Sequence, residues 1–301
     1  MSGLTAAANE DRVMSGILLM LGAYLFFAFV DVSAKWLAIA GLSALQLAFM
    51  RYLGHFLISL VLIGKGGVSV SRFSSNRMML VLVRGLLLMG STILNFSAVA
   101  YLPLTLTSTI LFSTPIIICA LSWPLLGERV GIWRWSAIMI GFVGILISIR
   151  PFDTSFHWAV ILSLAAAFCF ALYSILTRKL AGVVAVDTLQ FYSGLVGTVA
   201  LLPFAILTWQ TPESGLDWTI MLMLGVFGWL GHQMLTTAHR FAPASTLTPF
   251  GYTFILYLTV ASFLLFDHLP DRWTLSGGAI IIFAGLIIWF REKKLSRAPH
   301  L

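Results

Sequence analysis

A small set of ionisable and amide side chains lies inside long apolar runs of this sequence. Asp31, Arg51, Asn95 and His232 are each surrounded by hydrophobic residues. A charge at the centre of a bilayer costs roughly 2.5–3.5 kcal/mol on insertion scales, so an ionisable group at that depth is a candidate functional residue. These residue types predict a binding site for a charged or amphiphilic small molecule inside a hydrophobic protein.

Each of these groups also has a structural alternative. Arg51 could anchor an anion, because a guanidinium binds a carboxylate through two parallel hydrogen bonds, or it could extend to the outer membrane interface. Asp31 could contact a ligand or take part in proton coupling, or it could pair with Lys35 one helical turn away. His232 could exchange a proton near neutral pH or join two helices by a hydrogen bond. Arg84 lies near the start of its run, at the end expected to be cytoplasmic, where we expect an interface anchor.

The composition requires lipid as the solvent for most of the surface. The chain is 59% hydrophobic and 10% charged, whereas soluble domains carry about 25% charged residues. Crossing the hydrocarbon core takes roughly 20 apolar residues in a helix. The sequence therefore predicts an all-α integral membrane protein with ten transmembrane helices. The apolar runs cover about 14–38, 45–63, 79–101, 104–123, 132–149, 158–176, 189–207, 218–238, 244–266 and 275–290.

The basic residues indicate an orientation. Of 18 Lys and Arg, 13 fall at segments that would be cytoplasmic if both termini were inside. Positive charge marks the cytoplasmic side of short loops, so we expect cytoplasmic N- and C-termini. Because this charge is spread over many loops, it does not indicate nucleic-acid binding.

The sequence gives no indication of an enzyme. The motifs HExxH and GxSxG are absent, and so is the phosphate-binding pattern GxxxxGK[ST]. Cys119 and Cys169 both lie in apolar runs without metal-ligand spacing. We therefore expect no catalytic residues, no metal and no cofactor.

The two halves of the chain repeat each other. "AVAYLPLT" beginning at Ala98 and "AHRFAPAS" beginning at Ala238 share one pattern at an offset of 140, and Lys35 matches Lys179 at an offset of 144. Five helices per copy is an odd number, so the second copy enters the membrane inverted. The predicted segments are a cytoplasmic segment 1–12, a first repeat 13–150, a second repeat 151–290 and a basic tail 291–301.

An inverted repeat predicts where a ligand binds. In such proteins the substrate site lies near mid-membrane where the halves meet, and the halves exchange between inward-open and outward-open arrangements. Ser108 and Phe112 share one face of the fourth helix, and Thr248 and Tyr252 repeat that face on the ninth. Hydroxyls on such a face either line a cavity or bond their own helix. The predicted substrate-binding residues are Tyr24, Asp31, Asn95, Ser108, Phe112, Trp229, His232, Thr248 and Tyr252.

Two prolines inside these helices predict bends. Pro115 in the fourth helix and Pro249 in the ninth each remove a backbone hydrogen bond, so both are candidate hinges. They do not align under the repeat, which predicts bends at different depths in the two halves.

The motifs that carry the repeat also carry a family resemblance. "YLPLTLTSTILFSTP" leading into "LLGERVGIWRWSAIMIGFVGI", with "FAPASTLTPFGY" in the second half, resembles the EamA branch of the drug/metabolite transporter superfamily. The resemblance implies a secondary transporter of the bacterial inner membrane that takes a small-molecule substrate. We expect it to move an amphiphilic metabolite such as an amino acid, with export favoured, as a monomer or homodimer. The alternatives are an importer of a nucleotide- or vitamin-like metabolite and a broad drug exporter.

Overall fold

The computed structural model describes residues 2–65, 75–126, 132–150, 156–180, 183–241 and 247–296. Its helices follow the ten predicted runs, which we call spans 1 to 10. In the first half, spans 1, 2 and 3 are Ser2–Ile39, Ala44–Lys65 and Met78–Tyr101, span 4 has two segments, Leu104–Leu111 and Thr114–Leu126, and span 5 is Ile132–Ile149. In the second half, spans 6, 7 and 8 are Val160–Leu180, Val186–Leu207 and Gly215–Phe241, span 9 is a 3-10 turn Thr248–Tyr252 followed by a helix Thr253–Phe266, and span 10 is Arg272–Ser296.

The lengths of these helices support a multi-pass membrane fold. Within the residues just given, six helices are long and apolar enough to cross a bilayer, and they belong to spans 1, 2, 3, 6, 7 and 8. Spans 4, 5, 9 and 10 contribute shorter apolar helices. The prediction of an all-α, ten-helix membrane protein is confirmed.

The packing of the spans reflects the inverted repeat. Span 1 packs against span 8, and its repeat equivalent, span 6, packs against span 3. Span 2 packs against span 8, and their repeat equivalents, spans 7 and 3, also pack against each other. Spans 2 and 7, 4 and 9, and 5 and 10 pack directly against their own equivalents. A pseudo-two-fold axis that exchanges the halves produces this pattern of contacts.

Spans 2 and 8 approach each other at a pair of glycines. A Cβ added at Gly225 would lie 2.5 Å from the Cα of Gly54, and one added at Gly54 would lie 2.8 Å from the Cα of Gly225. Small residues allow membrane helices to bring their backbones together in this way. The two spans therefore cross without side chains between them at this point.

Spans 4 and 9 are both interrupted, and the interruptions are equivalent under the repeat. The helix of span 4 ends at Leu111 and resumes at Thr114, while span 9 changes from 3-10 to α-helical geometry after Tyr252. At the offset of 140, Phe112 corresponds to Tyr252. The prediction of bends at different depths is therefore wrong.

Neither proline lies in the middle of its own helical segment. Pro115 is the second residue of its α-helical segment, and Pro249 is the second residue of the 3-10 turn. At the second position of the segment that holds Pro115, a helix has no internal acceptor for the N–H group that proline lacks. The 3-10 turn that holds Pro249 directly follows the helical residue Leu247. The side chains of both prolines lie outside the described residues, and their hinge role stays a prediction.

Candidate functional site

Four aromatic side chains from spans 1, 4 and 9 form a connected group, which we call the aromatic cluster. The ring of Phe112 lies 5.2 Å from that of Tyr252 and 6.2 Å from that of Phe254, and Tyr24 lies 6.0 Å from Phe254. Aromatic pairs attract each other at centroid separations of 4.5–7 Å. Three of the predicted site residues, Tyr24, Phe112 and Tyr252, are thus brought together, and each remains partly exposed.

Glycines make room for two of these rings. A Cβ at Gly251 would lie 2.9 Å from the hydroxyl oxygen of Tyr24, and a Cβ at Gly285 would overlap the hydroxyl of Tyr252. The positions of both tyrosine hydroxyls therefore depend on the absence of a side chain opposite them.

Phe27 connects the aromatic cluster to His232 of span 8. The ring of Phe27 lies 6.0 Å from that of Tyr24 and 5.0 Å from the imidazole of His232. His232 is buried, and its Nε2 lies 3.4 Å from Nη2 of Arg51. Because a guanidinium can only donate hydrogen bonds, Nε2 of His232 must act as the acceptor in this contact.

Arg51 is buried rather than extended to the membrane interface. Its side chain is 8% exposed, and Nη1 donates to the hydroxyls of Thr92 and, at 3.3 Å, Tyr52. The hydroxyls of Tyr52 and Thr92 lie 2.8 Å apart. Nε of Arg51 is also buried, and no hydrogen-bond partner for it exists among the described residues. The guanidinium is therefore held in place on one edge, while its Nε donor has no partner among the described residues.

Asp31 pairs with Asn95 and not with Lys35. Nδ2 of Asn95 donates to Oδ1 of Asp31 at 3.0 Å, and both side chains are buried. Oδ1 of Asn95 has no partner within the described part of the chain. Lys35 instead donates to the carbonyl oxygens of Leu102 at 3.2 Å and Ala100 at 3.5 Å. The Asp31–Lys35 pair considered from the sequence is wrong, because the last carbonyls of span 3 lack helical partners and accept from Lys35.

The expectation that Arg84 is an interface anchor is also wrong. Arg84 is 4% exposed and donates to Thr177 Oγ1 and Tyr173 Oη at 2.7 Å each. It also donates to Ser193 Oγ at 2.8 Å and to the carbonyl oxygen of Leu189 at 3.2 Å. These bonds join spans 3, 6 and 7, so Arg84 has a structural role inside the bundle.

The remaining predicted residues lie outside these groups. Ser108 is fully buried and donates to the carbonyl oxygen of Thr105 at 2.9 Å, so it bonds its own helix. Trp229 is partly buried on span 8, one turn before His232. The backbone of Thr248 belongs to the 3-10 turn, and its side chain lies outside the described residues.

The sequence interpretation missed two residues that hold Arg51. Thr92 and Tyr52 both contact the guanidinium. Thr92 lies three residues before Asn95 and shares its helix face, so helical spacing could have identified it. Tyr52 directly follows Arg51 in the chain. Because adjacent residues do not lie on the same face of a helix, helical spacing could not have identified Tyr52.

A cavity of about 690 Å³ lies at one end of the bundle, at the ends of spans 1, 3 and 9 and the starts of spans 4 and 8. We call it the end cavity. It is lined by Lys35, Trp36, Ile39, Ala40, Tyr101, Leu102, Pro103, Leu104, Asp217, Ser262, Leu265, Phe266 and His268. Its volume is in the range of small-molecule sites. The described residues include no group of three or more His, Cys, Asp or Glu side chains that could hold a metal ion.

Comparisons with known proteins identify the family. The EamA-like transporter family matches the chain twice, over residues 14–150 and 157–291. An S-adenosylmethionine uptake transporter of Rickettsia felis is 30% identical over 272 residues, 90% of each chain. A riboflavin transporter of Vibrio cholerae is 29% identical over 96% of this chain and 97% of its own, and a pseudopaline exporter of Pseudomonas aeruginosa is 28% identical over 94% and 99%. A solved crystal structure with 16% identity matches 94% of this chain and 99% of its own with a TM-score of 0.65, which supports the fold alone.

Proposed function

Since the chain belongs to the EamA-like transporter family, we propose that it moves a small amphiphilic metabolite with an α-amino acid group by alternating access. Membrane transport of a small molecule is the activity of the family and of the relatives named above. The substrate class, the direction and the residues that bind the substrate are the parts proposed here.

The observation that carries this proposal is a pair of opposite buried charges, each with an unused hydrogen-bonding atom beside it. Arg51 keeps its Nε donor available, and Asn95, which holds Asp31, keeps its Oδ1 acceptor available within the described residues. The charges of Arg51 and Asp31 are close enough to interact. A zwitterion would place its carboxylate on Arg51 and its ammonium group on Asp31 and Asn95, because buried charges require charged or hydrogen-bonding partners.

The aromatic cluster would bind the apolar part of such a substrate. Its rings connect through Phe27 and His232 to Arg51, so one molecule could contact both an aromatic surface and the charged groups. S-adenosylmethionine combines an amino acid group with an aromatic base, which suits this arrangement. Ring faces also attract cationic groups.

His232 offers a route for proton coupling. Its Nε2 accepts from Arg51, so a proton on that nitrogen would break the contact and place two cations side by side. The groups that act on His232 are Arg51 and His55 of span 2, Arg84 of span 3 and the ring of Tyr173 of span 6. Protonation of His232 would therefore release Arg51 toward a substrate carboxylate, and Asp31 is the second candidate for a coupled proton.

The proposed location is the bacterial inner membrane, with both termini in the cytoplasm. In this orientation the end cavity opens to the outside. We retain export as the expected direction, although the relatives include uptake transporters as well as an exporter. A vitamin-like substrate is the second candidate, because the aromatic cluster would also accept a flat ring system and a riboflavin transporter is among the relatives.

Reconstitution into liposomes tests the proposal. We expect counterflow of at least one amino-acid-bearing probe from a panel of radiolabelled L-amino acids, S-adenosylmethionine, riboflavin and an organic cation, measured in both orientations. Arg51→Gln should abolish transport of probes that carry a carboxylate. Asp31→Asn should abolish transport of probes that carry an ammonium group, and an amino acid, which carries both, should be lost in each variant.

The control is Arg272→Gln, which removes an exposed arginine that lies over the ring of Trp273. It should transport normally. Transport of riboflavin or the organic cation alone, unaffected by Arg51→Gln, would overturn the amino acid assignment.

A further inference from the structure

Lys35 is a cation on the wall of the end cavity whose role the proposed central site does not explain. It lines the cavity together with Trp36, Tyr101, Asp217 and His268. An ammonium group has three N–H donors, and the carbonyl oxygens of Ala100 and Leu102 accept only two hydrogen bonds from Lys35. One donor and the full charge of Lys35 therefore stay available to a ligand in the cavity.

The acid in the same cavity already has other partners. Asp217 accepts from the indole nitrogen of Trp36 at 2.9 Å through Oδ1 and from Ser214 at 2.7 Å through Oδ2. Among the described residues, Lys35 forms no ion pair with a carboxylate. The charge of Lys35 is therefore not neutralised by the wall of the cavity.

The repeat places an equivalent lysine at the opposite end of the bundle. Lys35 near the end of span 1 matches Lys179 near the end of span 6 at an offset of 144. Because the repeats are inverted, these two span ends face opposite sides of the membrane. Lys179 is exposed at its own end. In the outward-open state Lys35 would therefore lie at the open entrance, and in the inward-open state Lys179 would lie at the open entrance.

We propose that Lys35 and Lys179 are a pair of entrance sites that bind the carboxylate, or another anionic group, of the transported molecule before it reaches the central site. The identity of that anionic group rests on the proposed function, whereas the existence of a cationic site at each entrance does not. The competing explanation is that Lys35 only caps the end of span 3, in which case its charge would have no effect on molecules entering the cavity.

The first test measures the electrostatic effect of Lys35 without any substrate. Leu265→Cys introduces a thiol into the end cavity in a background with Cys119 and Cys169 replaced by serine. The reaction rates with impermeant anionic and cationic methanethiosulfonates, applied from the outside, report the local charge. Lys35→Gln keeps a hydrogen-bond donor for the carbonyls but removes the charge. We expect it to lower the anionic-to-cationic rate ratio by roughly threefold to tenfold, the effect of one nearby charge in a water-filled site.

The second test examines the opposite entrance with the equivalent thiol. Leu125 corresponds to Leu265 at the offset of 140. In inside-out vesicles, Leu125→Cys should show the same fall in the rate ratio when Lys179 is replaced by glutamine. Arg272→Gln should leave both ratios unchanged.

The third test uses sided transport of the carboxylate-bearing probe that the panel identifies. Lys35→Gln should raise KM for probe supplied from the outside about threefold to tenfold and leave kcat unchanged. KM for probe supplied from the inside should stay the same, and Lys179→Gln should give the mirror result. Lys35→Arg should behave like the wild type.

The outcomes separate the two proposals. Unchanged thiol rate ratios in both charge-neutral variants would overturn the entrance sites, whatever the substrate is. Changed ratios without transport of any panel compound would overturn the proposed substrate class and keep the entrance sites. If Lys35→Gln raised KM equally for probe supplied from either side, Lys35 would only cap the end of span 3, and the entrance-site proposal for Lys35 would be wrong.

Discussion

Phe112 and Tyr252 are equivalent residues of the two repeats, and their rings lie 5.2 Å apart. Two positions that a two-fold axis exchanges can touch only where they lie close to that axis. Both residues also mark the interruptions of spans 4 and 9. The pseudo-two-fold axis therefore passes through the aromatic cluster, so a ligand bound there would contact both halves of the protein.

The first prediction concerns this pair. Phe112→Ala and Tyr252→Ala should each raise KM by roughly 2- to 12-fold, since one aromatic contact contributes about 0.5–1.5 kcal/mol beyond the area it buries. Uptake into proteoliposomes is the measurement. Phe263→Ala, at an exposed position of span 9, is the matched control and should leave KM unchanged. Equal effects of all three substitutions would argue against a ligand at the axis.

The second prediction contrasts the two buried arginines. Arg84 donates to four acceptors from spans 6 and 7, so Arg84→Met should lower the free energy of unfolding by about 3 kcal/mol or more. Arg51→Gln should destabilise less and reduce transport more. Thermal midpoints in detergent and transport rates in liposomes separate these effects. Arg51→Lys, which keeps the charge without the planar fork, should recover little transport.

The third prediction concerns the glycine contact between spans 2 and 8. Gly225→Ala would place its Cβ 2.5 Å from the Cα of Gly54, so the spans must separate, at about 1–3 kcal/mol. Gly215→Ala on the same helix is the control, because a Cβ there meets no atom within 4 Å among the described residues. Only the first variant should lower the thermal midpoint, and a drop in both would point to a general intolerance of span 8.

The fourth prediction concerns pH and an ion pair outside the spans. Partial burial disfavours the charged form of Asp271, but hydrogen bonds from Thr274 and the charge of Arg150 outweigh it and lower the pKa of Asp271 below 3.8. The stabilisation by this carboxylate is thus present above pH 3.8 and is lost as the pH falls through the lower pKa of the folded state.

Arg150 lies 2.7 Å from Asp271, and both side chains are partly exposed, so Asp271→Asn should cost less than about 1 kcal/mol at pH 7. The free energies of unfolding of the wild type and of Asp271→Asn should converge below pH 3.8. A difference that grows on acidification would contradict this assignment.

The sequence predicted the ten helices because apolar length and loop charge are local properties. It also named Tyr24, Phe112 and Tyr252 among the residues of one predicted site, and the repeat relates the two that lie on spans 4 and 9. The inverted arrangement followed from the odd number of helices in each copy.

The partners of the buried polar groups could not be predicted in the same way. Asn95 and Asp31 are 64 residues apart, and Arg84 meets its acceptors on spans 6 and 7, so depth along one helix carries no information about these contacts. The bends were misplaced because proline was interpreted as a kink inside a helix. Pro115 is instead the second residue of an α-helical segment, and Pro249 is the second residue of a 3-10 turn.

The contact of Gly54 with Gly225 has a consequence for engineering this protein. With backbone against backbone, spans 2 and 8 have almost no room for substitutions at that point. The rings of Tyr24, Phe112 and Tyr252 are partly exposed, so we expect changes there to be tolerated better. Directed evolution toward new cargo should therefore collect its mutations around Tyr24, Phe112 and Tyr252, while the glycine pair stays unaltered in every surviving clone.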